Sequence, residues 1–243
     1  MDELGGTLGK TVMLDGMVIK QGTQHRPTTR RGSDKALVRR LLEHAGTTYA
    51  AQSGVRLADK PAPLYQLLVL AQLLSTRISA DVAVAAAREL HAEGLTTAAK
   101  MVAAERHRVV EALGRAHYKR YDEVMSGRLA ESAQCLADWY GGDLRRLAEV
   151  AGHDVGEATS LLQEFPGIGP VGSSIFLREA QHVWPWLRPY ADARVLAAAD
   201  ELGLPNTVGG LARLAGTNDL SSLSAAVVHV RLDRGLRQSV LES

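Results

Sequence analysis

The chain has 243 residues, 46% of them hydrophobic, and a formal net charge of +1, so it can bury a sizeable core as one large domain or two small ones. Its single cysteine, Cys135, excludes internal disulfides and fits a reducing cytoplasm. The most apolar run, residues 64–74, contains glutamines and is too short to span a bilayer, and an N-terminus with acids at Asp2 and Glu3 and no hydrophobic signal core leads us to expect no secretion.

Residues 1–33 are rich in Gly, Thr and charge and read as a tail with one short strand at 11–19. Its basic cluster, Arg26, Arg30 and Arg31, reads as solvated. From Asp34 the pattern becomes helical: Asp34 caps a helix over 35–44 in which Leu37, Leu41 and Leu42 share a face. After a break at 59–63, helices are expected over 64–74, 80–93, 97–103, 106–113, 118–140, 144–151 and 154–164. A glycine turn leads into a further helix reaching Glu179, and Trp184-Pro185-Trp186 with Pro189 forms a stiff connector. Asp192 opens a helix over 193–201, and helices over 207–215 and 220–235 close the chain. Hardly any strand pattern and no internal repeat appear, so the expected fold class is all-α.

The turn carries the chemistry. Helix 154–164 runs into Phe165-Pro166-Gly167-Ile168-Gly169-Pro170-Val171-Gly172, and the residue before a proline is biased away from helix. Gly167 and Gly169 allow positive φ and close backbone approach, and Pro170 suits the first turn of a new helix, where its missing N–H costs nothing. The amides around Gly167, Gly169, Val171 and Gly172 should therefore be unpaired at a helix N-terminus and open to a phosphate oxygen. Taken alone, such a turn reads equally well as a simple connector. Asp192 follows 20 residues after Gly172 and is at least an N-cap, a role contributing about 1 kcal/mol.

From about residue 63 to residue 196 the sequence resembles the helix-hairpin-helix DNA glycosylase superfamily that includes endonuclease III. Phe165-Pro166-Gly167-Ile168-Gly169 looks like that family's Leu-Pro-Gly-Val/Ile-Gly hairpin, and Asp192, in Tyr190-Ala191-Asp192-Ala193-Arg194-Val195, matches the position of its catalytic aspartate. Leu73-Leu74-Ser75-Thr76-Arg77 is similar to the family's Leu-Leu-Ser segment, which places Arg77 as a wedge for the space left by an extruded base. The resemblance implies two helical domains with an interdomain cleft: 64–181, containing the hairpin, and a discontinuous unit of 34–63 with 182–243. Asp192 would face that cleft.

Two departures narrow the implied chemistry. Bifunctional members carry a lysine two residues after the second hairpin glycine, where this chain has Val171, so no Schiff base with the sugar forms there. Nothing in the sequence places another lysine, Lys119 included, in its stead. One cysteine cannot build the four-cysteine iron–sulfur site of many relatives. The implied activity is a monofunctional DNA glycosylase with no metal or other cofactor beyond a monovalent cation held by hairpin carbonyls. Its expected partner is double-stranded DNA carrying a damaged or mismatched base, and the protein is expected to be a cytoplasmic, nucleoid-associated monomer.

Around Lys119, a knot of Arg115, His117 and Arg120 with Tyr118 and Tyr121 reads either as a phosphate contact or as a solvated face. Trp184 and Trp186 read as core, and His153 and His182 as structural or exposed. Two other classes of function stay open: a non-catalytic hairpin protein that binds DNA, and a helical protein-interaction module.

Overall fold

The computed structural model describes residues 28–119, 121–217 and 219–242. The expected strand at 11–19, Arg26 and the side chains of Arg30 and Arg31 lie outside what it describes. The described residues are all-α, with no strand among them. In chain order the helices are α1 (Thr28–Ala45), α2 (Tyr49–Gln52), α3 (Pro61–Leu74), α4 (Ala80–Ala92), α5 (Ala98–Val102), α6 (Arg106–Arg115), α7 (Asp122–Tyr140), α8 (Leu144–Val150), α9 (Val155–Gln163), α10 (Pro170–Ala180), α11 (Ala193–Glu201), α12 (Val208–Ala215), α13 (Ser221–Leu232) and α14 (Arg234–Glu242), with a 3-10 turn at Pro185–Leu187.

Most starts are written in the sequence as short polar side chains that accept from the first free amides of a helix. Thr48, Ser79, Thr97, Asp143, Asp154, Asp192 and Thr207 each cap their helix in this way. The helix α3 instead starts on Pro61 at its first turn, where a missing N–H is harmless.

Two apolar cores form. The larger gathers α2 to α10 and includes Trp184 and Leu187. At its centre lies α3, apolar nearly all round, with Leu64, Leu67, Leu68, Leu70 and Leu73 completely buried, as a helix enclosed on every side must be. It packs on α4, α10 and α8. The smaller core joins α1, from Val38 to Ala45, to α11, α12, α13 and α14. The first and last described helices thus meet each other, and α10 touches both sets by packing on α3, α9 and α13.

Helix α10 also ties the segments together through Glu179. This fully buried carboxylate accepts from the amides of Tyr49 at 2.9 Å and Ala50 at 2.7 Å, anchoring α2. Burial pushes the Glu179 carboxyl above its usual value, against the lowering effect of the Ala50 amide and the Arg178 charge.

Four elements differ from the sequence expectation. Helix α1 starts at Thr28 rather than 35, because nothing stronger than Gly32 interrupts it, and Asp34 lies inside it, buried. The helix expected over 118–140 starts at Asp122; Tyr118 is instead drawn wholly into the core by a 2.6 Å hydrogen bond between its hydroxyl and Thr76 Oγ1, with His117 at φ +60° turning the chain. Asp233 divides the last expected helix into α13 and α14 by accepting from Leu236 N at 3.0 Å. The four-residue α2 was not anticipated.

Candidate functional site

The hairpin is α9, a turn at 164–169, and α10. Its apolar residues point inward: Phe165 is 1% and Ile168 4% exposed, and they leave Pro166 and Gly167 at the tip. Gly167 adopts φ +83°, a region that disfavours side chains. Gln72, buried in α3, donates from Nε2 to the Pro166 carbonyl at 2.7 Å and so fixes the tip to the core helix. Ser173 accepts from Gln163 Nε2 at 3.2 Å, tying α9 to α10.

At the tip the backbone is short of partners. Ile168 N bonds to Phe165 O and Ser173 N to Gly169 O, both at 3.0 Å. The amides of Gly167, Gly169, Val171 and Gly172 donate to no group among the described residues, as the first turn of α10 requires. Gly172 has a second reason to be glycine, since a Cβ there would stand 2.6 Å from Ser75 Oγ on the α3 side. Its side is buried packing, while Val171 beside it is 41% exposed.

The carbonyls of Phe165, Pro166 and Gly169 already accept hydrogen bonds from Ile168, Gln72 and Ser173. A monovalent cation would share these oxygens with those donors, and none of the chemistry below depends on one.

Asp192 sits in extended conformation, φ −79° and ψ 170°, immediately before α11. Its Oδ1 accepts from Arg194 N at 2.8 Å and Val195 N at 3.0 Å. Its Oδ2 accepts from Arg178 Nη1 at 3.0 Å, in an ion pair whose side chains are only 4% (Arg178) and 9% (Asp192) exposed. A buried pair of this kind survives when further hydrogen bonds satisfy its remaining groups, and the α11 amides do so for the carboxylate.

The first turns of α10 and α11 meet at one cleft of about 150 Å³. Pro170, Val171 and Ser174 line it from α10, Asp192 and Arg194 from the other side, and Arg178 lies between. No lysine lines it among the described residues. Tyr190 lies nearby; burial pushes its hydroxyl above the ordinary tyrosine value, while a hydrogen bond from Ser174 opposes the shift.

The other expected contact residues lie outside the cleft lining. Arg77 is exposed on the turn between α3 and α4, and Lys119 is exposed on the turn between α6 and α7. The Tyr118–Thr76 hydrogen bond joins those turns. Within the basic knot, Arg115 is committed to Glu89 at 2.7 Å and Glu93 at 2.6 Å, which favours the solvated reading for it. Trp184 is core: 3% exposed, it donates from Nε1 to Asp59 at 3.0 Å.

Sequence reasoning missed two arginines. Arg178 was passed over because nothing local marks its pairing with a residue 14 positions later. Arg128, exposed on α7, lays its side chain against the hairpin, with Cδ 3.2 Å from where a Cβ on Gly167 would stand. Only the folded packing of α7 on the turn reveals that neighbour. Among the described residues, no three or more His, Cys, Asp or Glu side chains gather as a metal site would require, and no helix is long and apolar enough to cross a membrane.

No family model matches the sequence, and no curated protein matches it. Among solved structures, the chain is similar to a trapped endonuclease III–DNA covalent intermediate, an estranged-adenine complex, with TM-score 0.43 and 14% identity over 80% of this chain and 84% of that one. That likeness is too distant to assign a role to any residue.

Proposed function

We propose that this protein is a DNA glycosylase that hydrolyses the N-glycosidic bond of a damaged or mismatched base without cutting the strand. The observation that carries the reading is the convergence of the hairpin's first helical turn and the Asp192 carboxylate on one cleft. The free amides at Gly167, Gly169, Val171 and Gly172 suit a phosphate of the DNA backbone. A nucleotide extruded toward the cleft would bring its sugar to Asp192. As the glycosidic bond breaks, positive charge develops on the sugar, and a fixed carboxylate stabilises that charge and orients the attacking water. With Val171 where a lysine would be needed, the cleft has no amine among the described residues for a covalent sugar intermediate. The reading calls for no iron–sulfur cluster, because one cysteine cannot ligate it.

Arg178 favours a second reading. Its guanidinium offsets the charge of Asp192 at 3.0 Å, and with both carboxylate oxygens committed the pair also suits a DNA-binding protein that no longer excises bases. A panel of labelled duplexes with damaged or mismatched bases, each analysed with and without alkali, separates the two. Strand breaks appearing only after alkali support the glycosylase; binding to duplex with no product from any lesion supports the alternative.

A further inference from the structure

Arg128 is an exposed residue of α7 whose aliphatic stem lies against the hairpin: its Cδ is 3.2 Å and its Cβ 3.7 Å from where a Cβ on Gly167 would stand. Its charge also acts on the Tyr118 hydroxyl, which is bonded to Thr76 beside Arg77. The packed stem therefore sets Arg128 beside the hairpin tip. Its guanidinium makes no ion pair or hydrogen bond with any described residue.

Other arginines of the same core are held differently. Arg106 pairs with Glu123, Arg108 with Glu93, Arg115 with Glu89 and Glu93, and Arg145 with Asp143. Arg77, Lys119 and Arg128 have no carboxylate within ion-pair distance among the described residues. On α6 all three arginines are thus neutralised, whereas Arg128, whose stem lies against the hairpin tip, is left available. A packed stem also fixes the charge at lower entropic cost than a free side chain.

We propose that Arg128 contacts a backbone phosphate of duplex DNA next to the phosphate held by the hairpin amides. The assignment rests on the DNA-binding part of the function proposed above and adds a residue from a helix outside the hairpin. Arg128 fixes register on the duplex and reads no sequence.

The test is fluorescence anisotropy with a labelled undamaged duplex of about 20 base pairs, titrated with the full chain from about 50 to 200 mM KCl. Arg128→Gln keeps most of the stem over Gly167 and removes the charge, while Arg128→Lys keeps a charge. The expected result is weaker binding by Arg128→Gln, with the slope of log affinity against log salt smaller by about 0.9, and a wild-type slope in Arg128→Lys. Weaker binding by Arg128→Gln at an unchanged slope would place the effect in the packing of Gly167 and overturn the proposal, as would unchanged binding. If the wild-type chain itself fails to bind the duplex, the DNA-binding reading falls and takes this proposal with it.

Discussion

Arg178 on α10 donates to Asp192 at the start of α11 across 3.0 Å, with both side chains almost closed to solvent. The pair fastens the hairpin's second helix to the helix that follows it, and it holds the carboxylate at the cleft in one orientation. Removing one partner from a buried pair typically costs about 3 to 5 kcal/mol, because the other charge is left uncompensated. Arg178→Met should therefore lose stability on that scale, and Arg178→Met with Asp192→Asn should recover much of it. Urea unfolding of both single variants and the double measures the coupling; additive losses would mean that the two side chains act independently.

Gly172 is predicted to matter for packing as well as for its amide. A methyl group there meets Ser75 Oγ at 2.6 Å, and overpacking of this kind costs about 1 to 3 kcal/mol. Gly172→Ala should be destabilised by that amount, and Ser75→Ala should restore part of it. Thermal melts of the two variants and their combination decide this; no relief in the combination would show that the tight contact lies elsewhere.

Gln72 holds the hairpin tip through the Pro166 carbonyl, yet its own Oε1 is buried without a partner among the described residues. Gln72→Met removes a hydrogen bond worth about 1 kcal/mol and also an unsatisfied acceptor, so global stability should change little. The local effect should be larger: the Ile168 amide, bonded to Phe165 O, should exchange with deuterium faster than in the wild type, while the amides of α3 keep their protection. Equal exchange at Ile168 would mean that the tip does not depend on Gln72.

Burial holds the imidazoles of His91 and His229 below the usual histidine value. The unfolded chain therefore takes up protons first as pH falls. The sign follows: stability is full above the ordinary histidine range, near pH 6.5, and is lost as pH falls through and below that range. His229 Nδ1 faces the Ala45 carbonyl at 3.0 Å, a contact that asparagine can make without titrating. His229→Asn should show a shallower fall in Tm over that range than the wild type, and a parallel fall would assign the dependence to other groups.

Much of this fold was legible because its signals are local. Ser79, Thr97, Asp143, Asp154 and Thr207 each announce a helix start, and Pro166-Gly167 followed by Gly169-Pro170 announces the hairpin. Asp192 was readable as a cap on the same grounds. What the sequence hid depends on distant partners. Tyr118 leaves the expected helix because its hydroxyl pairs in the core with that of Thr76, 42 residues away. The orientation of the Asp192 carboxylate is set by Arg178, and the hairpin's cationic neighbour Arg128 comes from another helix. No periodicity or spacing encodes those meetings.

The central claim, that Asp192 serves base excision at the cleft, is tested most directly by single-turnover excision on labelled lesion duplexes with the wild-type chain beside Asp192→Asn. The expected result is abasic product revealed only by alkali in the wild type, a loss of rate of at least about 100-fold in Asp192→Asn, and similar duplex affinity for both. Full activity in Asp192→Asn, or strand cleavage without alkali, would contradict it.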